Sequence, residues 1–573
     1  MVNEVLYEYD TNGLLSKDYS NPSGAVSTST TPYIAYTYDT TASGGYFTKR
    51  LRPVTMKYPG GKVLTYAYGV ANSSDDFTDR ITAIKDGATD VVTYPNNNTV
   101  SYPQPGLTLD YTSGLDRFNR IIDHTWKKGT TNVVQIKHGY DRVGNRLYRE
   151  DTVGTSFSEM YAYDGVNQLI DMQRGVINST KTGVTTKKAQ EQFAFDATGN
   201  WGTYKQDLTG AGFTLNQSRT HTKANEIATI AGASTYVVSD LNGNMTKLPK
   251  PDNWSAAFAC VFDAWNRLVK VQDGATVVAT YSYNSLNHRV KKVVGSETRL
   301  FYFNDAWQCL EERVGSTVDL TYTWGLRYID DLVYRDKGEE RLYSLADPNW
   351  NVVTIANASG VVLERMVYSA FGKVNWLDAS FGTKVASGYT WARTFTGQVL
   401  DGETGLMLYR NRFYHTALGR FVTRDPIGYD GEHENLYRYI QNKPIFVLDP
   451  LGLYYIEVTC TGTLKLSSYR IKPKDKNKTK GIVKTVETEI YKQFKVQEQT
   501  KPFFSQSITF GKECKDDEEA VPTFPSYTHS KTVTDPKDND SRVQIGDVLI
   551  GYILVYKGEV SCTVQGYKCK KCS

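Results

Sequence analysis

Tyr140-Asp141-Arg142-Val143-Gly144-Asn145-Arg146-Leu147 is the fullest copy of a phrase that returns along most of this chain. The phrase is an aromatic strand end, an Asp, two residues, a Gly or Asn, then Asn or Arg and an aliphatic residue. Leu115-Asp116-Arg117-Phe118-Asn119-Arg120-Ile121, Tyr163-Asp164-Gly165-Val166-Asn167, Phe195-Asp196-Ala197-Thr198-Gly199-Asn200 and Phe262-Asp263-Ala264-Trp265-Asn266-Arg267-Leu268 repeat it. Tyr283-Asn284-Ser285-Leu286-Asn287 carries Asn in place of Asp, and Tyr7-Glu8-Tyr9-Asp10 and Tyr36-Thr37-Tyr38-Asp39 are weaker copies. The key position falls at 116, 141, 164, 196, 240, 263 and 284, with the closest neighbours 21 to 25 residues apart. Such a period marks a repeat architecture.

One repeat reads as a β-hairpin. Aromatics two apart share a strand face. The Asp ends the strand, the Gly or Asn supplies the positive φ of a tight turn, and the Arg and aliphatic residue open the return strand. A lone hairpin is marginal in water, so its aromatic face must be buried by stacking on neighbours. The 41 tyrosines among 573 residues suit half-buried sheet positions, where the ring packs and the hydroxyl finds a partner.

The phrase resembles the YD repeat of the Rhs family, which includes the C subunits of insecticidal toxin complexes and is related to teneurins. The resemblance covers about residues 5–453, weakest across 40–110. It implies a mainly β fold: a strip of hairpins wound into a hollow shell, closed or incomplete at this length, followed by a small β-rich C-terminal domain. Three segments are expected: repeats over 1–340, an Rhs repeat-associated core over 341–453, and a variable domain over 454–573.

The core is the most specific stretch. It runs through Phe395-Thr396-Gly397-Gln398, Tyr409-Arg410-Asn411-Arg412-Phe413-Tyr414 and Arg424-Asp425-Pro426-Ile427-Gly428 to Asp449-Pro450-Leu451-Gly452-Leu453. In many family members this core is an aspartyl autoprotease that cuts directly after the final motif. The resemblance therefore implies cleavage between Leu453 and Tyr454, with Asp425 and Asp449 as a proton-sharing pair, one a base toward water and the other an acid toward the carbonyl. Arg412 matches the Arg of the family's Arg-aromatic-Tyr phrase and is expected to orient or stabilise charge there. Arg420 and Arg424 are nearby basic alternatives. His415 stands where many members carry Asp or Asn, which puts a role for that position in doubt. On turn chemistry alone both Asp-Pro-x-Gly segments are good turns whether or not they catalyse anything.

Charge and cysteine divide at the end of the core. The first 453 residues carry 46 Lys and Arg against 47 Asp and Glu, the rest 20 against 15. Cys260 and Cys309 lie singly in the repeats, whereas Cys460, Cys514, Cys562, Cys569 and Cys572 fall in the tail; disulfides, a zinc site and free thiols all remain open there. The run Lys472-Pro473-Lys474-Asp475-Lys476 reads as a solvated loop, and alternating stretches in the tail read as strands. No metal-binding His pair, nucleophile elbow or phosphate loop is present, and no cofactor or metal is implied. No run approaches the ~20 apolar residues of a membrane helix. The start has no signal-peptide layout and enters a repeat at once, which suggests a fragment of a larger protein.

The function the family implies is a self-cleaving, secreted or cell-surface shell that carries residues 454–573 as an effector, in the manner of polymorphic toxins. An immunity protein and delivery machinery are then the expected partners, with nucleic acid a speculative target of the tail. The alternative is a non-catalytic adhesion-type repeat protein whose core is a structural plug.

Overall fold

The computed structural model describes residues 3–453, apart from 40–50, 71–72, 97–98, 112–113, 234–235 and 432–433; beyond 456 it describes only the backbone of strands. The chain divides into two compact units, Met1–Tyr454 and Tyr455–Ser573.

Within the first unit, nearly every strand pairs antiparallel with the next in sequence. Among the described residues this meander builds an 18-stranded sheet, from Val5–Tyr9 to Ile227–Ile230, and a 15-stranded sheet, from Val238–Ser239 to Thr383–Lys384. The second sheet runs unbroken through residue 340. Neither sheet closes on itself as a barrel. Alternation sets the faces: Val134, Ile136 and His138 of one strand are buried, with Gln135 and Lys137 between them more exposed.

The repeated Asp makes the turns. Asp141 Oδ1 accepts from the backbone N–H of Val143 (3.0 Å) and Asn145 (2.8 Å), and Oδ2 accepts from Asn145 Nδ2 (2.8 Å). Gly144 sits at φ +94°, and its equivalents Asn119, Asn167, Gly199, Gly243, Asn266 and Asn287 lie between +59° and +83°. Side chains then tie one turn to the next: Asn145 Nδ2 to Asn167 Oδ1 (2.9 Å), Asn200 to Asn225 (2.8 Å), Asn244 to Asn266 (2.9 Å). The same turn occurs at Asn304 and Asp347, copies that the phrase missed because a Trp holds the left-handed position in each (Trp307 φ +60°, Trp350 φ +59°).

Of the aromatics that open the repeated phrase, Tyr283 is buried, whereas Tyr140, Tyr163, Phe195 and Phe262 are half-buried. The tyrosines lie at strand ends, where the hydroxyl reaches back to an earlier strand's backbone: Tyr140 to the Ile121 carbonyl, Tyr163 to Arg146 and Tyr283 to Leu268, each at 2.7 Å. The fully buried rings, such as Trp126, Tyr334 and Tyr343 within strands, Tyr102 at a strand end and Tyr58 in the turn after Arg52–Lys57, bind the two sheets into one core. Tyr58 donates to the Tyr322 carbonyl (2.7 Å) and Trp126 Nε1 to the Ala346 carbonyl (3.1 Å).

A third, four-stranded sheet, Val399–Asp401, Leu406–Tyr409, Arg412–His415 and Arg420–Phe421, packs against the row of Asp turns. Asn435 reaches Asn200 (2.8 Å), Asn442 reaches Gln168 (2.8 Å), Asn287 reaches Asn411 (2.7 Å), and Arg146 reaches the Ile445 carbonyl (2.9 Å). Asn200, which ties its turn to Asn225, thus also helps seat the core.

Among its described residues, the Tyr455–Ser573 unit has a four-stranded antiparallel sheet of Glu457–Leu466, Glu489–Gln497, Ser526–Lys531 and Gly558–Thr563, and two short strand pairs. The side chains of its five cysteines, and the 472–476 loop, lie outside the described residues. Cys260 and Cys309 are free and buried. No described helix is long and apolar enough to cross a membrane.

Candidate functional site

Two Asp-Pro-x-Gly turns and one strand converge behind the third sheet. In the first turn Gly428 N–H donates to the Asp425 carbonyl (2.9 Å), Ile427 N–H to Asp425 Oδ1 (3.2 Å), and Asp425 N–H to the Leu436 carbonyl (3.0 Å). In the second, Leu453 N–H donates to Asp449 Oδ1 (3.1 Å). Gly428 and Gly452 have φ of +61° and +64°, as the turns require. At Gly452 a Cβ would stand 2.1 Å from the Tyr409 carbonyl oxygen, so no other residue fits without displacement.

Arg412 joins the two. Its Nη2 lies 2.8 Å from Asp425 Oδ2 and 3.7 Å from Asp449 Oδ2, and all three side chains are at most 5% exposed. Its Nε donates to the Gly452 carbonyl and its Nη1 to the Leu436 carbonyl (3.1 Å). The guanidinium lies 3.6 Å from the Phe421 ring centre, above a cluster of Tyr409, Tyr414, Phe421 and Tyr439 whose centroids are 4.5–5.9 Å apart.

Burial pushes the Asp449 carboxyl up to about 7 and Asp425 adds to the rise, against Arg412 and the amides of Leu453 and Gly452. Burial also pulls Arg412 downward, against both carboxylates, but a guanidinium keeps its proton. The closer ion pair makes Asp425 the better home for negative charge. One buried carboxyl is thus poised near neutrality beside another that is paired with a cation, an arrangement suited to splitting acid and base roles.

The other basic candidates lie elsewhere. Arg424 pairs with Glu226 (2.6 Å) and Arg420 donates to the Asn225 carbonyl (2.5 Å). His415 is buried, with Nε2 2.8 Å from the Pro249 carbonyl. Tyr454 lies outside the described residues. Sequence reasoning missed the rest of the cradle. Arg410, Asn411 and Arg412 take the carbonyls of Pro450, Leu451 and Gly452 in order, each 40 residues on, with Asn411 N–H (3.2 Å) and Nδ2 (3.0 Å) both on Leu451. The Tyr-Arg-Asn-Arg-Phe-Tyr phrase is legible in the sequence, but nothing local in it marks Arg410 as a second ligand of that backbone.

The teneurin YD-shell family profile matches residues 85–445, and the chain belongs to that family, among the Rhs/YD-repeat shell proteins. Double-stranded DNA deaminase toxin A of Burkholderia cenocepacia (strain H111) is 26% identical over 406 residues, covering 62% of this chain and 26% of that protein. Probable deoxyribonuclease RhsB of Dickeya dadantii (strain 3937) is 49% identical over 59 residues, 10% of this chain and 4% of that protein. The crystal structure of TcdB2-TccC3-TEV superposes with a TM-score of 0.60 at 16% identity, over 78% of this chain and 23% of that chain. The Photorhabdus luminescens Tc holotoxin pore gives 0.59 at 16% identity, over 77% and 23%. The chain therefore spans about a quarter of the length of the toxin and the Tc chains it matches.

Proposed function

We propose that this chain is part of an encapsulating shell that cleaves itself between Leu453 and Tyr454 and so frees residues 454–573 as an effector. The observation that carries this reading is Arg412 Nη2 facing both carboxylates while Nε of the same guanidinium holds the carbonyl of Gly452, one residue before the bond to be cut.

In this reading Asp425 takes a proton from a water as its oxygen bonds to the Leu453 carbonyl carbon. Asp449, protonated near neutral pH, gives its proton to the carbonyl oxygen, producing a gem-diol. Return of a proton from the diol to Asp449 and delivery of the Asp425 proton to the Tyr454 nitrogen then break the C–N bond, leaving a Leu453 carboxyl and a free Tyr454 amine. The cradle supplies orientation by fixing the segment before the bond.

The relatives named as a toxin and a probable deoxyribonuclease support an effector cargo, and the tail's excess of basic residues is compatible with a nucleic-acid target. A secreted shell, an immunity protein and delivery machinery follow from the same reading. Mass spectrometry of the purified chain tests it. The expected result is a break between Leu453 and Tyr454 that Asp425→Asn or Asp449→Asn abolishes. A wild-type chain still intact after prolonged incubation would leave the core as a structural plug.

A further inference from the structure

Asp330 belongs to the repeat strip, in the turn between Thr317–Trp324 and Leu332–Lys337, yet its carboxylate serves the core. Oδ1 lies 2.6 Å from Arg410 Nη2 and Oδ2 3.2 Å from Arg410 Nη1, and Gln398 Nε2 donates to Oδ2 (2.9 Å). The Asp330 side chain is fully buried, and Arg410 Nη1 also donates to the Pro450 carbonyl. A Cβ on Gly397 (φ +75°) would meet Asp330 Cβ at 2.6 Å, so the Phe395-Thr396-Gly397-Gln398 segment admits Asp330 only because residue 397 is glycine. Arg410 itself holds a positive φ of 44°, a conformation disfavoured for a side-chain-bearing residue and retained where surroundings over-determine it.

We infer that Asp330 is a positioning residue: through Arg410 it fixes the Pro450–Gly452 backbone against the Asp425/Asp449 pair, and thereby makes self-cleavage depend on the strip's 325–331 turn having docked on the core. This rests on the self-cleavage reading above. Arg410 stands at one end of the three-carbonyl ladder and Arg412 at the other, so loss of the Asp330 anchor frees the upstream end while leaving both catalytic carboxylates in place. A segment that slips by about 1 Å loses on the order of a hundredfold in rate.

The test uses the full chain, refolded from urea, with cleavage at Leu453 timed by mass spectrometry. Asp330→Asn is expected to slow cleavage about 100-fold. The doubly substituted Asp330→Asn/Arg410→Gln chain should be no slower than Arg410→Gln alone, because both act through one contact. The residual rate should keep the wild-type pH midpoint, since the acid is unchanged, and Asp330→Glu should recover part of the loss. Cleavage by Asp330→Asn within about threefold of wild type, or singles whose effects multiply, overturns the inference.

A second readout needs no cleavage. In an Asp425→Asn background, Asp330→Asn should speed amide exchange at Leu451 and Leu453 at least tenfold while Leu332–Lys337 stays protected. Unchanged exchange at Leu451 and Leu453 overturns the anchor. An uncut wild-type chain together with this accelerated exchange overturns the self-cleavage reading and supports the anchor alone.

Discussion

Asp141 and Asp449 begin the same turn but differ in what holds the second carboxylate oxygen. Each is followed three residues on by a glycine in the left-handed region, and each takes the backbone N–H of its fourth neighbour on Oδ1. The difference lies in that neighbour's side chain. In the repeats it is Asn145, Gln168, Asn200, Arg120 or Arg267, and it folds back to cap Oδ2. In the core it is Leu453, which has nothing to donate, or Tyr429, which is 68% exposed after Asp425. The second oxygen of each core carboxylate is therefore left to Arg412, and the two turns share one cation. Burial works against charge at Asp196 too, yet Asn200 and Thr198 hold that carboxyl below its ordinary range, whereas at Asp449 burial prevails. In the proposed self-cleavage, a structural turn becomes a reactive pair by omitting one local donor and burying what remains.

The comparison can be broken most sharply by making the same substitution in both places. Asp449→Asn should stop cleavage by about a thousandfold or more, because it removes the acid. Asp141→Asn should leave the rate unchanged and cost at most ~1 kcal/mol in urea unfolding, since Asn284 already builds this turn. A cleavage defect in Asp141→Asn, or none in Asp449→Asn, would erase the distinction.

Gly452→Ala should slow cleavage about a hundredfold, because the added Cβ must push the segment off the Tyr409 carbonyl. Gly144→Ala meets no atom within 4 Å; only its positive φ opposes it, so it should cost ~1 kcal/mol with no loss of rate.

The pH dependence follows from Asp449. As the acid it must be protonated, so the rate should fall about tenfold per unit as pH rises above about 7. Its stability effect has the same sign. A folded value of about 7 above the ordinary 3.8 means that its favourable contribution is complete below pH ~4 and is lost as pH rises to about 7, a change on the order of a few kcal/mol. Asp449→Asn should flatten that part of a stability–pH curve, and an unchanged curve would show that the carboxyl is not raised.

The smallest effect belongs to the strip. Tyr163→Phe removes one hydroxyl bond to the Arg146 carbonyl and should cost ~1 kcal/mol in urea unfolding without altering cleavage.

The turns, the meander and the family are legible in the chain's residues alone. The turns rest on bonds that span two to four residues, as in Asp141 with Val143 and Asn145, and a local phrase encodes them in full. The sequence also singles out Asp425, Asp449 and Arg412, through the resemblance of the core. The Trp307 and Trp350 turns fall outside the phrase because a left-handed Trp stands where the repeats place Gly or Asn. Folding in three dimensions is what brings one guanidinium to both carboxylates, sets the 410–412 triplet on 450–452, and carries Asp330 to Arg410 across 80 residues of sequence. Contacts across 13, 37, 40 and 80 residues are set by how the third sheet seats on the row of turns. That docking depends on the summed burial of rings and amides from many repeats, so no single phrase carries its signature.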